Sequence, residues 1–121
     1  NAVYASHVLE HLESPKKVLS ELARICKNNA TITLKVPHYL NGQATADITH
    51  VNFFNGQTFD VLNLCPDYLE LGLRLKRVQY KTYWPFWPFN ILLNIDRRIT
   101  ELLFSKILPI IEINFELTVR K

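Results

Sequence analysis

Residues 3–37, VYASHVLEHLESPKKVLSELARICKNNATITLKVP, change hydrophobic period within one short stretch, and that change leaves few folds open. Ala2 to Ala5 is a short apolar run. Ser14 followed by Pro15 reads as a helix start, a cap residue and then proline at the first helical position, and Asn28-Asn29 supplies a stop. Between those signals Val18, Leu19, Leu22, Ala23, Ile25 and Cys26 recur at helical spacing. Lys16, Lys17, Ser20, Glu21, Arg24 and Lys27 fall mostly on the opposite face. Ala30, Ile32, Leu34 and Val36 then alternate with Thr31, Thr33 and Lys35, the period of a strand. A strand, a covering helix and a second strand are most simply a right-handed parallel crossover, so the chain is predicted to be α/β.

The remainder extends that sheet. Gly56 to Leu64 reads as a short helix with Thr58 as its cap and Pro66 as its end. Leu73, Leu75 and Val78 predict a further strand, and Ile113, Phe115, Leu117 and Val119 alternate with Asn114, Glu116, Thr118 and Arg120 to predict the last one. Between them lies an insertion, Trp84 to Ile111. Its opening, Trp84-Pro85-Phe86-Trp87-Pro88-Phe89, argues against regular structure. A helix follows in which Ile91, Leu92, Ile95, Ile99, Leu102 and Leu103 form an apolar stripe and Asp96, Arg97, Arg98 and Glu101 gather opposite. That stripe fits packing on the domain or on a homodimer mate, a lid, or contact with a membrane surface through residues 84–108.

The segment VLEHL, a short gap, then VLSELARICKNNATITLKVP resembles the second half of a class I S-adenosylmethionine-dependent methyltransferase, of the type 11 kind. Leu22-Ala23-Arg24-Ile25-Cys26-Lys27 keeps the front of the family's helix pattern, and Asn28-Asn29-Ala30 replaces its Pro-Gly-Gly turn, with asparagine tolerating left-handed backbone. Residues 47–54, DITHVNFF, are similar to the loop after the family's fifth strand. The resemblance covers Asn1 to Tyr80 and implies a Rossmann-like half-sheet of strands 4-5-7-6 with the last strand antiparallel and helices flanking it. It implies S-adenosylmethionine as cofactor, approached by Ala5, Ser6 and His7 at the end of strand 4, and methyl transfer to a small or lipid-linked acceptor. The family's glycine-rich cofactor turn has no counterpart among the three glycines, Gly42, Gly56 and Gly72. The chain is therefore expected to be one partial domain, 1–121, of a longer parent, with an exposed edge at strand 4. A non-catalytic binding or assembly module on the same fold is the alternative.

Open α/β sheets bind ligands at the carboxyl ends of their parallel strands, and three histidines are expected there: His7 after strand 4, His38 after strand 5 and His50 in the loop beyond. Each is a candidate base for a hydroxyl acceptor, against the plainer reading of a loop hydrogen bond. The aspartate or asparagine, proline, proline, aromatic signature of amino-group methylases is replaced by Ala5-Ser6-His7-Val8, which favours oxygen or carbon acceptors. A rival pattern overlaps it. His7-Val8-Leu9-Glu10-His11 satisfies H-x-x-E-H, a zinc peptidase arrangement with Glu70 or Glu112 as distal ligand, but Ser14-Pro15 starts a new helix too soon for the long helix that motif needs. The expected metal complement is none.

With 48% hydrophobic and 21% charged residues the chain can build one core. Its net charge of +3 is scattered, which gives no footprint for nucleic acid. Cys26 and Cys65 lack metal spacing and read as reduced thiols, consistent with a cytoplasmic protein.

Overall fold

The computed structural model describes residues 2–121; Asn1, the first residue of the expected resemblance, lies outside the described residues. Four strands form one sheet: β1 (Ala2–Ser6), β2 (Thr31–Pro37), β3 (Leu73–Thr82) and β4 (Ile110–Val119), in the order β1-β2-β4-β3. β1 and β2 are parallel, and β4 runs antiparallel to both β2 and β3. This is the half-sheet expected, with β1 at an edge.

Period-2 patterning sets the register. Ile32, Leu34 and Val36 pair with Leu117, Phe115 and Ile113, and those three pair in turn with Leu75, Val78 and Tyr80, so one face of the sheet is a continuous apolar layer. The spacing from Leu75 to Val78 skips a residue because Lys76 bulges out of the ladder, which returns the following side chains to the buried face. Helix α1 (Pro15–Ile25) covers this layer through Leu19, Ala23 and, just beyond the helix, Cys26, all buried. Val18 and Ile25 are exposed, so the stripe is narrower than predicted. Residues four and seven apart from Leu19 stay in phase, and Val18 and Ile25 sit one position off it. Pro15 opens α1 as expected, but Ser14 makes no side-chain capping bond. Asn29 carries a φ of +63°, the left-handed turn that the substituted glycines left it to make, and its N–H donates to the Val119 carbonyl.

The predicted helix over Gly56 to Leu64 forms only at its end, as α3 (Val61–Leu64), because the Thr58 hydroxyl accepts the Asn55 N–H and closes a turn instead of capping a helix. Pro66 starts another short helix, α4 (Pro66–Leu69). A further short helix, α2 (Gly42–Ala46), lies in the loop after β2.

β3 is the other edge of the sheet, and three asparagines occupy its outer hydrogen-bonding groups. Asn63 accepts from Leu75 N–H at 3.0 Å and donates to its carbonyl at 3.1 Å; Asn94 does the same for Tyr80 at 2.7 and 3.0 Å; Asn90 accepts from Thr82 N–H at 2.9 Å. A carboxamide presents a donor and an acceptor at the spacing of a backbone peptide, so these side chains act as a discontinuous extra strand. Asn94→Ala is expected to lower stability by about 1–2 kcal/mol, read as a fall in urea midpoint at constant m-value, since it leaves both backbone groups of Tyr80 on that edge without partners.

The insertion departs from prediction. It breaks into α5 (Asn90–Leu93), α6 (Arg97–Ile99), a π-helical turn (Thr100–Phe104) and α7 (Ser105–Ile107). Asn94 ends the first piece, and Asp96 caps the second by accepting from the Arg98 and Ile99 N–H groups. Leu93, Thr100 and Ser105 point inward, with Glu101 and Phe104 partly covered. Ile91, Ile95, Ile99, Leu102, Leu103 and Ile107 point outward, Ile91 at 77% exposure. The stripe therefore does not pack on the domain. Among the described residues no helix is long and apolar enough to cross a membrane.

Candidate functional site at the carboxyl end of the parallel strands

β1 and β2 end, β4 begins and β3 leaves for the insertion all at one rim of the sheet. Two polar clusters occupy that rim.

The inner cluster is built on Glu101. The Tyr80 hydroxyl donates to one of its carboxylate oxygens at 2.8 Å, the Gly56 N–H donates to the same oxygen, and His38 Nε2 lies 3.3 Å from the other. His38 Nδ1 accepts the Leu40 N–H at 3.2 Å, so the proton sits on Nε2 and points at Glu101. His38 and Tyr80 are buried. Burial pushes the Glu101 carboxyl up, but the hydrogen bonds from His38, Gly56 and Tyr80 outweigh it and hold the group below its ordinary value. Burial and the adjacent Glu101 charge push the Tyr80 phenol up. This cluster fastens the insertion to the loops after β2. Neither Glu101 nor Tyr80 was legible as part of a site, since the partners that define them are far apart in sequence.

The outer cluster holds His7. Its backbone is left-handed, φ +53°, and its ring is half exposed. Nδ1 lies 3.3 Å from Glu10 and Nε2 lies 3.4 Å from Glu112. Glu112 also receives Lys35 at 3.0 Å and Lys81 at 3.2 Å. Burial raises the Glu112 carboxyl, yet the two lysines prevail and keep it low, and Glu112 in turn raises the Lys35 amine.

The loop DITHVNFF docks beside these residues. Its backbone N–H groups at Val51 and Asn52 donate to the Glu10 carbonyl, and the Asn52 carboxamide donates to the carbonyls of Leu9 and Leu12. His50 is 10% exposed at its side chain, with Nδ1 2.9 Å from the Ala44 carbonyl. The structure thus brings His7 and the His50 loop to one side of the turn after β1. His38 faces the interior with both ring nitrogens engaged and no exposed surface. Ala5 and Ser6 lie at the end of β1, partly buried.

His7-x-x-Glu10-His11 is not the helical pair a zinc peptidase requires. Leu9–His11 is a single 3₁₀ turn, and the exposed His7 precedes it in left-handed backbone.

A family model described as a methyltransferase domain matches residues 1–34. A search of curated proteins finds no match. Among solved structures, the chain superposes on an S-adenosylmethionine-dependent methyltransferase from Archaeoglobus fulgidus with TM-score 0.62 and 17% identity, over 97% of this chain and 58% of that one. It superposes on a candidate methyltransferase of the same dependence from Listeria monocytogenes with TM-score 0.55 and 14% identity, over 100% of this chain and 62% of that one. A third match is phosphoethanolamine N-methyltransferase 2 of Haemonchus contortus in complex with S-adenosyl-L-methionine, with TM-score 0.51 and 12% identity, over 98% of this chain and 33% of that one. The chain has the fold of S-adenosylmethionine-dependent methyltransferases, and it spans less than two thirds of the length of each of these structures. Its first residues carry that family's sequence pattern as well.

Proposed function

We propose that this chain is the acceptor-side part of an S-adenosylmethionine-dependent methyltransferase whose acceptor is a small or lipid-linked molecule. The observation that supports it most is the convergence at one rim of the β1 end, Ala5-Ser6-His7, with the loop after β2 and the start of β4, where the insertion returns to the sheet. In this reading residues 5–7 lie along the methionine portion of the cofactor. S-adenosylmethionine supplies its own leaving group, so the polypeptide's task is to line up acceptor and methyl and to exclude water, an effect worth up to roughly 7–11 kcal/mol. His7 is the histidine with an accessible ring at that rim. Glu10 and Glu112 face its two ring nitrogens, so His7 takes the proton of a hydroxyl acceptor on Nε2 only when that hydroxyl displaces Glu112, while Glu10, beside Nδ1–H, steadies the imidazolium that forms.

The insertion favours a lipid-linked acceptor. Trp84 is 82% exposed, Trp87 and Phe89 are exposed, and so are Ile91, Ile95, Leu102 and Ile107 further along the insertion, together with Arg98 and Lys106. Aromatic, aliphatic and cationic groups in that combination suit the headgroup boundary of an anionic membrane.

Calorimetric titration with S-adenosylhomocysteine tests the cofactor reading. Micromolar binding by this polypeptide, weakened by bulky substitution of Ala5, is the expected result. No heat at millimolar ligand would turn the reading to a non-catalytic module.

A further inference from the structure

Glu10, His11 and His50 each present a ligand atom, and the three atoms lie within 4.8 Å of one another. Two of the three residues of the H-x-x-E-H pattern, Glu10 and His11, take part. His7 turns to Glu112, and His50, delivered by the loop after β2, stands in its place. Two features separate this group from a chance gathering of polar side chains.

The first is the state of Glu10. It has no exposed surface, and neither carboxylate oxygen makes a hydrogen bond; the His7 ring lies 3.3 Å from one oxygen. A buried carboxylate without hydrogen bonds costs several kcal/mol as an ion, and coordination of a cation is one of the few ways to recover that cost. Its backbone is fixed, because its carbonyl accepts from both Val51 and Asn52 N–H.

The second is the protonation pattern of the two rings. The Thr49 hydroxyl has one proton and donates it to Asp47 at 2.7 Å, so at 2.9 Å from His11 it can only accept, which places the His11 proton on Nδ1. His50 Nδ1 faces the Ala44 carbonyl at 2.9 Å and must also carry a proton. In the neutral form each ring therefore keeps its lone pair on Nε2, which for His50 lies 3.7 Å from an Asp47 carboxylate oxygen. Outer partners that fix a histidine in this way are what metal-ligating histidines have. Asp47, which accepts hydrogen bonds from the Thr49 hydroxyl and backbone N–H, anchors the chain of contacts that ends at His11.

We propose that Glu10, His11 and His50 bind one divalent cation of the zinc type, through His11 Nε2, His50 Nε2 and a Glu10 carboxylate oxygen. Two imidazoles and a carboxylate suit zinc among the divalent metals and leave a fourth position open. The ligand atoms must draw together by about 1 Å to reach bond lengths near 2.0–2.2 Å, a movement available to His11, which is exposed at the end of a single turn. The cation would fasten the loop of residues 47–52 to the turn after β1, independently of any cofactor.

The test is titration of the full chain with zinc ion alone in a non-chelating buffer, with circular dichroism confirming the fold of each variant. One zinc per chain is expected, with affinity at least tenfold weaker in His11→Ala and in His50→Ala and unchanged in His7→Ala. His11 is exposed on its single turn, and His50, although only 10% exposed at its side chain, lies outside the hydrophobic core, so these variants keep the core; Glu10→Gln, which keeps the volume, gives a third reading of the same loss. Absence of binding at 100-fold excess zinc overturns the site. Loss in His7→Ala with retention in His50→Ala returns the metal to the contiguous motif, and binding retained in the His11→Ala, His50→Ala double variant places it elsewhere; either result also overturns the proposal.

Discussion

Glu101→Ala is expected to cost about 3–5 kcal/mol of folding stability, measured as a fall in urea midpoint with unchanged slope. The change removes one carboxylate but strands three groups: the Nε2–H of His38, the Tyr80 hydroxyl and the Gly56 N–H, which have no other partner in the cluster. Glu101→Gln should also be costly, although it keeps the shape. A carboxamide can accept from Gly56 and Tyr80, but its second terminus is an N–H pair facing the N–H of His38. Moving the His38 proton to Nδ1 would then oppose the Leu40 N–H that this nitrogen accepts. The pH dependence has a definite sign. Glu101 is held below its ordinary value of 4.5 in the folded chain, so its ionised form contributes stability that is fully present above the unfolded-state value and is lost as pH falls through the folded one. Glu112 and Asp47 are shifted the same way and add their own losses. The difference between the parent and Glu101→Ala should therefore shrink on the acid side, below about pH 4.5, and stay level from there to neutrality. An unchanged difference at pH 3 would mean that the charge of Glu101 is irrelevant to the cluster.

The sheet was legible because its information is local. Ile32, Leu34 and Val36, and the run from Ile113 to Val119, alternate without interruption, and alternation fixes which face is buried. Asn29 was legible for a similar reason: a turn needing left-handed backbone admits few residues. The insertion was not legible. A helical wheel assumes one unbroken phase and sends the apolar side inward. Asp96 breaks the phase, the π-helical turn shifts it again, and what holds the inner side down is polar: Asn90 and Asn94 on the edge of β3 and Glu101 on His38, Tyr80 and Gly56. Partners of that sort leave no periodic trace. The same holds for His50, whose histidine was visible in the sequence while its neighbours Glu10 and His11 were not visible as neighbours.

Gly56→Ala is expected to be as damaging as the loss of Glu101, about 3 kcal/mol or more, although it adds a single methyl group. A Cβ at this position would lie 1.6 Å from the Tyr80 hydroxyl oxygen, 2.6 Å from the ring carbon that bears it and 2.7 Å from Glu101. Those atoms cannot yield cheaply, since Tyr80 is buried and its hydroxyl and the Gly56 N–H converge on the same carboxylate oxygen. Glycine is thus required here by close approach, and the backbone of Gly56 has a second tie through its carbonyl to Arg97, itself 2.7 Å from Asp60. Tyr80→Phe separates the two contributions. Alone it should cost about 1–3 kcal/mol, because Glu101 loses a donor inside the protein. Combined with Gly56→Ala it removes the atom nearest the new methyl group, so the double variant should be more stable than the sum of the single losses by about 1 kcal/mol or more. The ring carbon at 2.6 Å keeps the relief partial. Additive losses across this cycle would mean that the alanine is accommodated by moving the loop away from β3, and that residue 56 is not held against Tyr80 at all.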